Sequence, residues 1–69
     1  GDFEKDLIEL LIKNNYKGLV ICDDIFLNNQ MINFWNWVPL KKIDLTKFGH
    51  WSGTGIIIFD ENINTVDIL

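Results

Sequence analysis

Cys22 and His50 are the only thiol and the only imidazole in the chain, so nucleophilic chemistry would have to start from them. A thiol attacks as the thiolate and needs a base beside it. A Cys–His pair oriented by Asp23, Asp24 or an asparagine would meet that need. The local sequence argues otherwise. Cys22 closes the apolar run Leu19-Val20-Ile21-Cys22, a setting in which thiols are commonly small, inert core residues. Neither a nucleophile elbow nor an oxyanion loop accompanies it. No catalytic residue, and no enzyme activity, is expected.

The run Gly49-His50-Trp51-Ser52-Gly53-Thr54-Gly55 is the most unusual local feature. Glycines permit close backbone approach, and Ser52, Thr54 and free amides are able to cradle an anion. The lysine of a phosphate-binding P-loop is missing, and the run leads into a strand rather than a helix. It is not a dinucleotide fingerprint either. A turn before a buried strand, with Trp51 folded over the core, explains the glycines sufficiently.

Metal and sugar chemistry have less support. One His, one Cys and scattered acids lack the paired spacing of a zinc site. Asp60-Glu61-Asn62 offers oxygen ligands but has neither the length nor the closing glutamate of a calcium loop. A carboxylate pair for glycoside cleavage would need a cleft for which 69 residues leave little room. Neither a metal nor a cofactor is expected.

Trp35, Trp37 and Trp51 are suited to stacking on bases or sugars, or to filling a hot spot on a protein partner. A net charge of −4, six lysines and no arginine argue against nucleic acid as a ligand, despite the local basic group Lys41, Lys42 and Lys47. A protein interface built from Met31, Phe34, Trp35, Trp37 and Trp51 is the expectation. The acids at Asp2, Glu4, Asp6 and Glu9, and at Asp60, Glu61 and Asp67, serve solubility or steer toward a basic partner.

The elements that must position these residues follow from periodicity. Asp2 to Lys13 is the clearest helix: Asp2 is placed to cap it, and Glu4, Asp6 and Lys13 suit the dipole. Phe3, Leu7, Leu10 and Leu11, widened by Ile8 and Ile12, form an arc of roughly 200°, enough to pack on two surfaces. Asn14 and Asn15 suit a left-handed stop. Leu19 to Cys22 is a buried strand, with Ile25-Phe26-Leu27 continuing it after a bulge or turn. Asn28-Asn29 is a turn, and the aromatics of Met31 to Val38 favour a strand ended by Pro39. Irregular chain is expected from Lys41 to Gly55, with a helical turn starting at Asp44. Ile56 to Phe59 is a strand, and Asp60 to Asn62 turns it into a hairpin returning over Ile63 to Leu69. The sum is α+β: an N-terminal helix packed on a small, mostly antiparallel sheet ending in a C-terminal β-hairpin. Leu7, Leu10, Leu11, Ile21, Ile57 and Phe59 are the expected main core.

Composition sets the frame. A chain of 69 residues holds one domain with one modest core, yet 48% of it is hydrophobic, which leaves apolar surface over for a partner. A single cysteine excludes an internal disulfide and points to a reduced, cytoplasmic setting. No apolar run reaches the length of a membrane span, and no signal peptide is recognisable. The absence of alanine and arginine beside abundant Ile, Asn, Lys and Asp suggests AT-rich codons, as in a low-GC bacterium or its phage. Gly1 resembles a cloning remnant, and the chain is expected to be a whole small protein or a domain cut from a larger one.

The function expected is a small protein-binding module: an inhibitor, immunity protein or antitoxin acting on a protein partner, and forming a homodimer or a hetero-complex. Two alternatives stay open. One is a structural or oligomerisation domain from a larger protein; the other is a small ligand-binding or Cys-His enzyme domain.

Overall fold

The structure, a computed structural model, describes residues 2–48, 52–60 and 62. The chain begins with helix α1 (Asp2–Lys13), which carries Asp2 and Glu4 in its first turn and Lys13 in its last. Both charges complement the helix dipole. Asp2 stands inside the first turn rather than ahead of it as a cap. The helix ends where expected: Asn14 Nδ2 donates to the Leu10 carbonyl at 2.8 Å, and Asn15 takes a left-handed φ of 55°.

Strand β1 (Leu19–Asp23) follows, but it is alternately exposed rather than buried, and its expected continuation is absent. Asp24 turns the chain at φ 58°, and the Leu27 amide closes the turn on the Asp24 carbonyl at 3.0 Å. Ile25 therefore drops into the core fully buried, instead of extending the strand.

The largest correction concerns Met31 to Val38, which forms helix α2 (Asn29–Trp37) and not a strand. Asn28 lies extended at φ −154°, and its side-chain oxygen accepts from the Met31 amide at 2.9 Å. That is a helix N-cap, where a turn was expected. Once the cap is in place, Met31, Phe34, Trp35 and Val38 fall at helical spacing and bring their side chains to one face. The apolar side chains that spoiled a two-residue alternation thus belong to a different period.

Strand β2 (Lys41–Asp44) occupies a segment expected to be irregular. Its sequence carries little apolar alternation because Lys42 takes an inward position by laying its stem on the core. The Lys42 ammonium donates to the Trp35 carbonyl and sits 5.1 Å from the centre of the Trp35 ring. It thereby satisfies one of the open carbonyls at the end of α2. The helical turn expected from Asp44 is present as a single 3-10 turn (Thr46–Phe48), with the Asp44 carboxylate accepting from the Thr46 amide at 2.9 Å.

Strand β3 (Thr54–Ile58) lies at the centre of an antiparallel sheet of order β1-β3-β2. Val20 opposes Ile57 on one side and Lys42 opposes Ile57 on the other. Alternation sends Val20, Cys22, Lys42, Gly55 and Ile57 to the face covered by the helices, and Leu19, Ile21, Ile43, Ile56 and Ile58 to the opposite face. The architecture is α+β, as expected, with two helices rather than one. The Asp60 carboxylate accepts from the Asn62 amide at 2.9 Å, as suits a turn. The expected return strand, 63–69, lies outside the described residues.

The main core consists of Ile8, Ile25, Phe34, Trp35, Val38, Ile57 and Phe59, with Leu11, Val20, Cys22, Met31, Trp37 and Leu40 packed against it. Ile57 and Phe59 are buried as expected, and Leu11 is half-buried. Leu7, Leu10 and Ile21 are not core residues: Leu10 is 55% and Ile21 73% exposed. Nor does α1 pack on two surfaces. Its only buried side chain is Ile8, and the stripe Phe3, Leu7 and Leu10 faces outward.

Candidate functional site

The aromatic residues first considered for an interface are mostly taken up by the fold. Phe34 and Trp35 are buried in the core, so neither is offered to a partner. Trp37 is half-buried, tilted against Phe34 at 6.3 Å between ring centres, with the Lys5 ammonium 5.0 Å from its own ring centre. Met31 is half-buried on the inner side of α2. Trp51 lies outside the described residues, as do Gly49 and His50.

The described part of the glycine-rich run has structural duties. Gly53 holds a φ of 99°, and a Cβ there would lie 2.7 Å from Ile25 Cγ1 and 2.8 Å from the Phe26 ring. The buried Ser52 hydroxyl donates to the Asp24 carboxylate, and the Phe26 amide donates to the Ser52 carbonyl at 2.7 Å. These contacts tie the turn after β1 to the entry of β3.

Cys22 lines a cleft under α1. Burial, and then the negative charge of Glu4, push its thiol above the ordinary range. Such a thiol is a poor nucleophile at neutral pH. Among the described residues no group of three or more His, Cys, Asp or Glu side chains could hold a metal ion, and no helix is long and apolar enough to cross a membrane.

What the fold leaves open is apolar. Phe3, Leu7 and Leu10 follow one another at helical spacing along the outer side of α1, and Phe3 is 74% exposed. Below them runs a cleft of about 200 Å³ lined by Glu4, Leu7 and Ile8 of α1, by Val20 to Asp23 of β1, and by Met31 and Phe34. The cleft thus runs from Leu7 of the helix stripe down to β1, while the Ile21 side chain points to the opposite face of the sheet.

Among the described residues, the strand beneath this cleft is a sheet edge. The Phe59 amide donates to the Gly18 carbonyl at 2.8 Å. Antiparallel alternation therefore turns the amides and carbonyls of Val20 and Cys22 toward β3, and those of Leu19, Ile21 and Asp23 outward. The Tyr16 hydroxyl donates to the Leu19 carbonyl from the outer side at 3.2 Å, as that alternation requires. Tyr16 itself is braced edge-on against Phe59, with ring centres 5.2 Å apart. Ile21 presents both backbone groups along the open edge.

Periodicity identified the residues of this surface but misassigned them. Phe3, Leu7 and Leu10 belonged visibly to an apolar arc, and the excessive width of that arc was the available signal. A single helix layer covers only the Ile8 side of it. Compared with known proteins, the chain matches no family model, no curated protein and no solved structure.

Proposed function

We propose that this chain is a protein-binding module whose contact surface is the outer stripe of α1 together with β1. The observation that carries the reading is the exposed apolar side chains Phe3, Leu7 and Leu10 of α1 and, on the other face of the sheet, Ile21, which flank a strand edge that is unpaired among the described residues. Large exposed apolar side chains on so small a domain are costly in water unless a partner covers them. A strand edge adds directional backbone donors and acceptors, which give a partner its register. The raised thiol of Cys22 and the structural use of Ser52 and Gly53 weigh against the enzyme and ligand-binding alternatives.

A photo-crosslinking side chain placed at Leu10 or Ile21, with Asn36 on the exposed side of α2 as the control, tests the reading in cells of the source organism. Crosslinks to protein from Leu10 and Ile21, and none from Asn36, are expected. Equal labelling from all three positions, or none from any, would remove the basis for this surface.

A further inference from the structure

We propose that the partner of this edge is a second copy of the same chain, with the two β1 strands paired antiparallel about a two-fold axis through Ile21. This rests on the reading of α1 and β1 as a contact surface and names its occupant. The backbone argument is one of parity. Leu19, Ile21 and Asp23 direct their amides and carbonyls outward. An antiparallel copy centred on Ile21 sets Ile21 against Ile21, and Leu19 against Asp23, so that every outward residue meets another outward residue. The Leu19 carbonyl, which already accepts from Tyr16, has a second lone pair for the incoming amide.

Charge selects the antiparallel direction. One end of the edge is acidic: Asp2 and Glu4 of α1 border the same depression as Asp23 and Asp24. The other end is basic, with Lys13 in the last turn of α1 and Lys17 just ahead of β1. Lys5 at this end of α1 sits over Trp37, and the terminal amine offsets Glu4, so Asp2, Asp23 and Asp24 carry the negative charge. A two-fold copy brings each acidic end against a basic end, and places Lys17 diagonal to Asp23 across the new strand pair. A parallel copy would set acid against acid and base against base.

Packing agrees with the same arrangement. On the sheet face away from the helices, Ile56 is 8% exposed while its neighbour across the ladder, Ile21, is 73% exposed. The dry part of that face therefore stops at β1. A paired copy extends the sheet past β1 and sets Ile21 beside its own symmetry mate, while the two α1 stripes approach over the other face.

The pairing is tested by a cysteine at its centre. Ile21→Cys in a Cys22→Ser background places two thiols at a hydrogen-bonded antiparallel pair, where Cα atoms lie about 5.5 Å apart. That is within the span a disulfide bridges. Mild oxidation at micromolar concentration should give a species of twice the 8.1 kDa chain mass, and the control Phe48→Cys with Cys22→Ser should give none. Lys17→Glu should weaken the dimer roughly tenfold, through two symmetry-related charge pairs, and adding Asp23→Lys should restore it. Lys17 and Asp23 are both exposed; Asp23 also accepts from the Asp24 amide at 3.1 Å, so a melt of each variant is read beside its dimerisation. A monomer in sedimentation at every concentration would overturn the proposal. So would a dimer that fails to crosslink at Ile21 or that ignores the charge exchange. If the chain is monomeric but Leu10 still photo-crosslinks another protein, self-pairing falls and the contact surface stands; if neither occurs, both fall.

Discussion

The indole of Trp35 lies directly on Gly55: a Cβ added at Gly55 would overlap the ring's Cη2, with Cζ2 and Cζ3 both at 2.9 Å. The central strand thus has a missing side chain where the second helix inserts its largest one. Lys42 holds the same residue from the neighbouring strand, through its bond to the Trp35 carbonyl and its position over the ring. One tryptophan therefore sets the distance between α2 and the sheet.

Gly55→Ala should destabilise the protein by about 1–3 kcal/mol, the usual cost of overfilling a packed core. Trp35→Leu alone should also destabilise, by leaving a void. Combined, the two changes should cost less than their sum, because the smaller side chain makes room for the new methyl. Denaturant melts of the four proteins give the coupling directly. Strict additivity would show that Trp35 and Gly55 are not in contact.

Asn28→Ala should cost about 1 kcal/mol, since it removes the acceptor for the Met31 amide at the start of α2. Asn28→Asp should be close to neutral, because a carboxylate caps equally well. If both substitutions melt like the parent, Asn28 does not cap this helix.

That cap also explains what the sequence left illegible. Asn28-Asn29 looks like a turn, and Phe34, Trp35 and Trp37 have strand preferences, so local propensity favours a strand. The spacing Met31, Phe34, Trp35 and Val38 is nevertheless helical, and burial of that face in the core decides the outcome. Strand β2 was hidden for the opposite reason, because the inward position belongs to Lys42, whose polar end is satisfied by the Trp35 carbonyl and ring in another element. The termini of α1, the strand at Ile56, and the burial of Ile57 and Phe59 were legible, because there propensity and burial agree; the strand at Leu19 was legible from propensity alone, since Leu19 and Ile21 are exposed. The contact surface was half legible. Its residues are apolar at regular spacing, but sequence cannot distinguish apolar side chains that fill a monomer's core from those left on its surface.

The raised Cys22 thiol has a consequence for stability at high pH. An unfolded chain gives up the thiol proton near the ordinary value of 9.0, while the folded chain holds it longer because of burial and Glu4. The associated stability is fully present below the unfolded value and is lost as pH rises through the folded one. Stability measured across about pH 8 to 10.5 should therefore fall more steeply for the parent than for Cys22→Ser, lysines and tyrosine being common to both. Alkylation by iodoacetamide at neutral pH should likewise be slow until denaturant is added. Fast labelling of the folded protein at neutral pH would contradict the buried thiol.

Ile8 and Leu10 lie two residues apart on α1 with opposite fates, and their substitutions separate the core from the contact surface. Ile8 is buried against α2 and the sheet, so Ile8→Ala should cost about 2–5 kcal/mol at any protein concentration. Leu10 is more than half exposed, and Leu10→Ala should cost less than about 1 kcal/mol when the chain is dilute. At concentrations where the proposed dimer forms, the Leu10 penalty should grow, because folding is then linked to association. Ile8→Ala should show no such added dependence beyond that of the parent. Thermal melts over a hundredfold dilution series make the comparison. A Leu10 penalty as large as that of Ile8 in the dilute limit would return Leu10 to the core, and would remove it from the surface that this fold offers to a partner.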